Sequence, residues 1–157
     1  MAWYNVIRSS IDLISDLIPY LSEKAKNSGK QKKLVIRELR DNLNTLKNGY
    51  KHKLSADVIV ETLRNDAYRQ ALEENFDFNK IRRGELQEFE ISDKRNLRYL
   101  GWTMERLLDK IDEKVEELKQ LQKMTGSLAK LENTNVSLML GNLYFRIKLA
   151  AEFMRSE

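Results

Sequence analysis

The stretch SDKRNLRYLGWTMERLLDKIDEKVEELKQLQKMTG, residues 92–126, decides the fold. Leu97, Leu100, Met104, Leu107, Leu108, Ile111, Val115, Leu118 and Leu121 recur in it at the three-and-four spacing of one helix face. The pattern predicts a helix from about Ser92 to just before Gly126, long enough to be the spine of a domain. Glu105, Asp109, Asp112 and Glu116 follow the same spacing and form an acidic stripe.

A matching basic stripe lies upstream. The second predicted helix, near Gln31 to Asn48, carries Ile36, Leu39, Leu43, Leu46 and Tyr50 on its apolar face, and Gly49 suits a left-handed terminating position. Lys33, Arg37, Arg40, Lys47 and Lys51 repeat that face displaced by one residue, about 100° around the axis, with Asn44 filling the gap. Like charges at i, i+4 repel on an isolated helix, so each stripe is expected to face the opposite sign. The second helix is therefore expected beside the fourth, with Arg37 and Arg40 reaching Asp109, Asp112 or Glu116.

Elsewhere the pattern is also helical. A first helix is expected from Asn5 to Lys26, bent near Pro19, with Ile7, Ile11, Ile14, Ile18 and Leu21 on one face. Ser55 is a natural N-cap for a third helix reaching Glu74, lined by Ile59, Val60, Leu63, Ala67 and Ala71. From Asn75 to Ile91 the period is lost, and Phe76, Phe78, Ile81, Leu86, Phe89 and Ile91 suggest a segment folded back over the bundle. A last helix, Asn135 to about Arg155 with Thr134 as cap, has an apolar face broad enough for more than one neighbour. Gly101 and Gly141 fall inside predicted helices, where they cost about 1 kcal/mol each in propensity and point to close helix crossings. The expected fold is an all-α, single-domain antiparallel bundle of about five helices with an irregular excursion at residues 75–91.

Composition agrees. The 157 residues include a single Pro, 33% are charged and 41% hydrophobic, enough for one core. The absence of Cys excludes disulfides, thiolate nucleophiles, iron–sulfur clusters and Cys-type zinc sites, and allows a reducing, cytoplasmic setting. A spanning first helix is disfavoured because Arg8, Asp12 and Asp16 each cost about 2.5–3.5 kcal/mol near a bilayer centre. A signal peptide lacks its basic n-region and small-residue cleavage site.

Little catalytic chemistry is legible. His52 is the sole histidine and sits between Lys51 and Lys53, so no Ser-His-Asp constellation and no Glu-x-x-His metal pair can be built. Asp109, Asp112, Glu113, Glu116 and Glu117 are dense, but carboxylates along one helix seldom converge on a cation. The six glycines are isolated from one another, so there is no phosphate loop. Arg64-Asn65 and Arg95-Asn96 resemble the first half of the Arg-Asn to His signature of HEPN-class ribonucleases. No histidine follows either pair, so no residue is carried over.

The sequence thus leans towards a non-enzymatic helical interaction or regulatory protein, with a protein partner or self-association, no cofactor, no metal and no small-molecule substrate. Phe76, Phe78, Ile81, Arg82 and Arg83 of the excursion are the candidate contact residues. The alternative is a nucleic-acid-binding module. Residues 24–53 hold ten Lys or Arg against Glu38 and Asp41, although the whole chain carries only +4. Lys30, Lys32, Lys33, Arg37, Arg40, Lys51 and Lys53 are its candidate anion ligands, with Tyr50 available for stacking. Peripheral membrane attachment through the first helix is a third, weaker alternative.

Overall fold

The computed structural model describes residues 2–131 and 134–157. It is all-α, with six α-helices: α1 (Leu17–Lys26), α2 (Lys30–His52), α3 (Ala56–Thr62), α4 (Asp66–Glu73), α5 (Met104–Thr125) and α6 (Val136–Arg155). Short 3-10 turns precede α1 and occupy parts of the α4–α5 and α5–α6 connections, and no strand occurs among the described residues beyond an isolated bridge between Glu85 and Thr103.

The axis of the fold is α6 and not the predicted spine. Thirteen of its twenty residues are buried, including Arg146 and Lys148. A helix apolar on nearly every side has to be enclosed. Accordingly α1, α2, α3, α5 and the N-terminal turn at Trp3–Val6 all pack on it. One continuous cluster of buried side chains draws on all six helices.

The seam helix starts later than its periodicity predicts. Residues 94–99 form a 3-10 turn, Leu97 and Leu100 are exposed, and Gly101 takes a left-handed φ of 81° outside any helix. Thr103 then caps α5 by accepting from the Arg106 N–H (3.3 Å). The far end is as expected, with Gly126 left-handed at φ 79°.

The first predicted helix divides as well. Trp3–Val6 and Ile11–Ile14 are 3-10 turns, and only α1 is α-helical. A 3-10 turn brings side chains three apart into line, which places Ile11, Ile14 and Leu17 together in the core. Ser9 and Ser10 are weak helix formers, and the Tyr144 hydroxyl donates to the Ser10 carbonyl (3.2 Å). Pro19 does not bend α1. It is the third helical residue, where a backbone N–H would have no intrahelical partner anyway. The apolar face proposed for a membrane is buried, and no helix is long and apolar enough to cross one.

The third predicted helix is broken into α3 and α4 at Leu63–Asn65. Buried Asn42 of α2 replaces the missing helical bonds, accepting from the Arg64 N–H (2.9 Å) and donating to the Arg64 carbonyl (2.8 Å). The Glu38 carboxylate then accepts from the N–H groups of Ala67 (2.7 Å) and Tyr68 (3.1 Å), capping α4 from another helix.

Two glycines mark close approaches. α2 runs through Gly49, and Lys53 is the left-handed residue that ends it (φ 52°, ψ 47°). A Cβ at Gly49 would meet Ile59 and lie 2.8 Å from Trp3, whose indole N–H is hydrogen-bonded to the Leu54 carbonyl (2.9 Å). A Cβ at Gly141 would strike Val6. Gly141→Ala is therefore expected to destabilise the protein by about 1–3 kcal/mol despite alanine's better helix propensity. Adding Val6→Ala should return much of that loss, a coupling read from urea denaturation of the two single variants and the double.

Candidate functional site

The two charged stripes do not meet. α2 packs on α1, α4 and α6, whereas α5 packs on α6 and α3. The edge of α2 turned towards α4 and α5 is that of Val35, Glu38, Leu39 and Asn42, which line a small cleft with Leu108, Ile111 and Asp112. The basic stripe lies on the other edge of the buried arc, towards α1, where Arg40 is 3.4 Å from the Ser22 hydroxyl. The expectation that Arg37 and Arg40 reach Asp109, Asp112 or Glu116 is thus corrected, because the stripe borders α1 instead of α5.

The acidic stripe has a different partner, which periodicity did not single out. Asn65 donates to Asp112 and Glu116 (both 3.0 Å), Tyr68 to Asp109 (3.0 Å), and Arg69 pairs with Asp112 (2.9 Å) and Glu116 (3.6 Å). Burial first, and then the Asp109 carboxylate, push the Tyr68 phenol far above its ordinary range. The Arg69 and Asn65 groups hold Glu116 below the usual carboxylate range, with the Asn65 hydrogen bond contributing most. These carboxylates are joined to α4. Among the described residues no group of three or more His, Asp or Glu side chains is placed to hold a metal.

With its expected counter-charges elsewhere, the basic stripe is left open. Among the described residues, Lys30, Lys32, Lys33, Arg37, Lys47, Lys51 and Lys53 form no salt bridge, and Arg40 turns to Asp41 on its own helix (3.0 Å). The stripe from Lys33 to Lys51 extends along α2 for about 27 Å at 1.5 Å per residue. Burial, and then the neighbouring Lys24 ammonium, lower the pKa of Lys32 against an opposing contribution from the Glu157 carboxylate.

At its C-terminal end the stripe opens into a groove of about 470 Å³. Lys47, Tyr50 and Lys51 enter from the last turns of α2, Lys53 from its left-handed end, and Tyr4, Arg8 and Asp12 from the N-terminal turns. Tyr4 and Tyr50 meet edge to face, with ring centroids 6.4 Å apart. Four cations thus surround two half-buried phenol rings, with Asp12 as the opposing carboxylate in the lining. Cations in a last helical turn offset the partial negative charge of the helix end, but Arg8 and Lys47 lie outside that turn. Of the predicted anion ligands, the groove unites Lys51 and Lys53; Lys30, Lys32 and Lys33 lie at the opposite end of α2. Arg8 and Tyr4 could not be found from periodicity, because they reach the groove from a non-helical segment.

The excursion at residues 75–91 does fold back onto the core, but its candidate contact residues face inward. Phe78 and Ile81 are buried, and Phe76 is half-buried against Phe78, with ring centroids 5.2 Å apart. Arg82 lies over the Phe153 ring (4.2 Å), donates to the Phe153 carbonyl (2.8 Å) and pairs with Glu90 (2.5 Å). Only Arg83 is exposed, and its N–H donates to Glu157 (3.3 Å). These side chains hold the excursion against the end of α6 and leave little of themselves for a partner. His52 is exposed at the end of α2, with no hydrogen bond to a nucleophile or carboxylate among the described residues.

Comparison with known proteins yields no match, whether to family models, to curated protein sequences or to solved structures.

The Glu90 side chain is only 1% exposed, which makes its pair with Arg82 a buried one. Burial pushes the Glu90 carboxyl up, but hydrogen bonds from Ser156, the Gln87 N–H and Arg82 outweigh it and hold it below the usual carboxylate range. Arg82→Ala would leave that charge to Ser156 and the Gln87 N–H alone and is expected to cost about 1.5–3 kcal/mol at neutral pH. Because the folded-state pKa is depressed, the stability from Glu90 is present above its unfolded pKa of about 4.3 and lost as the pH falls through the folded value. The gap between wild type and variant, followed by urea denaturation, should therefore narrow from pH 7 towards pH 3.

Proposed function

We propose that the protein is a non-enzymatic binding protein for single-stranded nucleic acid. The phosphate backbone runs along the basic edge of α2, and a base enters the groove against Tyr4 and Tyr50. One observation carries this reading. Apart from Arg40, which turns to Asp41, the cations of the α2 stripe form no salt bridge among the described residues, and the stripe ends at a groove where Lys47, Lys51, Lys53 and Arg8 surround two aromatic rings. Phosphate contacts supply affinity without sequence preference, and aromatic faces accept any base, so neither part needs a helix-turn-helix or another duplex-reading element. The groove volume is that of a pocket for one small organic group. The absence of Cys suits a reducing setting such as the cytoplasm.

Fluorescence anisotropy with a short labelled single-stranded oligonucleotide tests the reading. Affinity should fall steeply with salt, and each of Lys47→Ala and Lys51→Ala should reduce the log–log slope by roughly 0.7. Tyr50→Ala should weaken binding by about 1–3 kcal/mol and leave the slope unchanged. Binding that is absent at low salt, or indifferent to these three changes, ends the proposal.

A second reading, a protein partner, is favoured by Phe89, which is 85% exposed in the 3-10 turn Glu88–Glu90 of the excursion. Exposed aromatic anchors are frequent interface hot spots. A partner captured by the wild-type chain and lost with Phe89→Ser would support it, whereas retention would remove this residue from any interface.

A further inference from the structure

Arg146 stands in the middle of α6 and is 7% exposed, yet no carboxylate among the described residues pairs with it. Its Nε–H donates to the Tyr99 hydroxyl at 2.5 Å. Its two terminal nitrogens make no hydrogen bond to the described residues. Among the described residues no buried side-chain nitrogen or oxygen lacks a partner, so those terminal nitrogens retain contact with solvent. A guanidinium that served only to fill space would be better replaced by a methionine or leucine, because burying a charge without its opposite is unfavourable.

Its surroundings make the excess of positive charge larger. The Arg98 guanidinium lies 5.0 Å from the centroid of the same Tyr99 ring, whose distance from Arg146 is 5.9 Å. On the preceding residue of α6, Arg95 stacks over Phe145 at 3.7 Å. Asp93 pairs with Arg95 (3.1 Å), whereas Arg98 and Arg146, like Arg106 stacked on the neighbouring Trp102 (4.1 Å), have no carboxylate partner among the described residues. Stacking on Tyr99 explains Arg98 better than Arg146, which is near the outer limit for a cation–π contact and meets the ring at its hydroxyl.

We propose that Arg146 and Arg98 form a binding site for a phosphate dianion, with Tyr99 holding the Arg146 fork in place. A guanidinium presents paired N–H donors that match the spacing of two phosphate oxygens, and a phosphate held by two of them neutralises charge that no salt bridge among the described residues balances. The site is separate from the groove. Tyr144 faces the N-terminal segment through Ser10, and Arg146, two residues further on, points about 200° away around α6.

The test is a titration of the purified chain with inorganic phosphate against chloride at equal ionic strength. It is followed by thermal unfolding and by the Arg Nε–H resonances in nitrogen-15 spectra. Phosphate should raise the melting temperature and shift the Arg146 resonance, with saturation. Arg146→Gln should abolish the response, and Arg146→Lys should weaken it several-fold because an ammonium lacks the fork. Should Arg146→Gln fail to fold, Arg98→Gln at the exposed rim and Tyr99→Phe should each weaken phosphate binding several-fold in a folded protein. A parallel titration with a nucleoside monophosphate distinguishes the source of the phosphate. Equal affinity assigns the site to the phosphate group alone, and tighter binding assigns it to a nucleotide. The proposal is overturned if phosphate acts no differently from chloride, if Arg98→Gln and Tyr99→Phe leave the response intact, or if Lys51→Ala with Lys53→Ala abolishes it.

Discussion

Enclosure of α6 is the constraint on which the rest of the structure depends. Its buried residues include Leu140, Leu143, Tyr144, Phe145, Ile147, Leu149 and Phe153, which point in every direction around the axis. No single neighbour could cover them. Helices α1, α2, α3 and α5 therefore surround it, and the N-terminal chain and the excursion close the remaining gaps as irregular segments. The price is local regularity: a segment wrapping a cylinder cannot stay straight for long, and the N-terminal turns and the α3–α4 break follow.

Each break is held by a particular polar group. Asn42 satisfies both backbone groups of Arg64, Glu38 supplies the acceptors that α4 lacks at its start, and Arg82 fastens the excursion to the end of α6. Unsatisfied buried backbone groups cost about 1–3 kcal/mol each, so these side chains decide where a helix can be interrupted. The carboxylates of α5 belong to the same class. They lock α4 in place through Asn65, Tyr68 and Arg69, which makes the acidic face an architectural joint.

The consequence for function is an asymmetry of charge. With its carboxylates directed to α4, α5 has none for α2, and the cations of α2 border solvent and α1. A row of unpaired cations ending at two tyrosines suits a phosphate backbone with unstacked bases better than a folded protein surface. Around Tyr99, on another side of α6, Arg98 lies over the ring and Arg146 meets its hydroxyl, and neither has a carboxylate partner among the described residues.

Much of the fold was legible from the spacing of apolar residues. The helical class, the α2 and α5 seams, the caps at Ser55 and Gly126, and the return of residues 75–91 to the core all follow from side-chain periodicity and turn chemistry. Such signals act between residues a few positions apart, so they can be read along the chain. What periodicity could not decide was which polar residues would meet. The placement of Asn42 on Arg64, of Arg69 on Asp112, and of Arg8 beside Lys47 joins residues far apart in sequence, and the two charged stripes that match in sign are kept apart by packing. Electrostatic pairing at a surface contributes about 0–1 kcal/mol, too little to override the burial of α6, so the apolar core selects the neighbours and the charges adapt to it. The sequence by itself determined which faces are apolar and which are charged; the tertiary structure alone decided which charges are paired and which are left facing solvent.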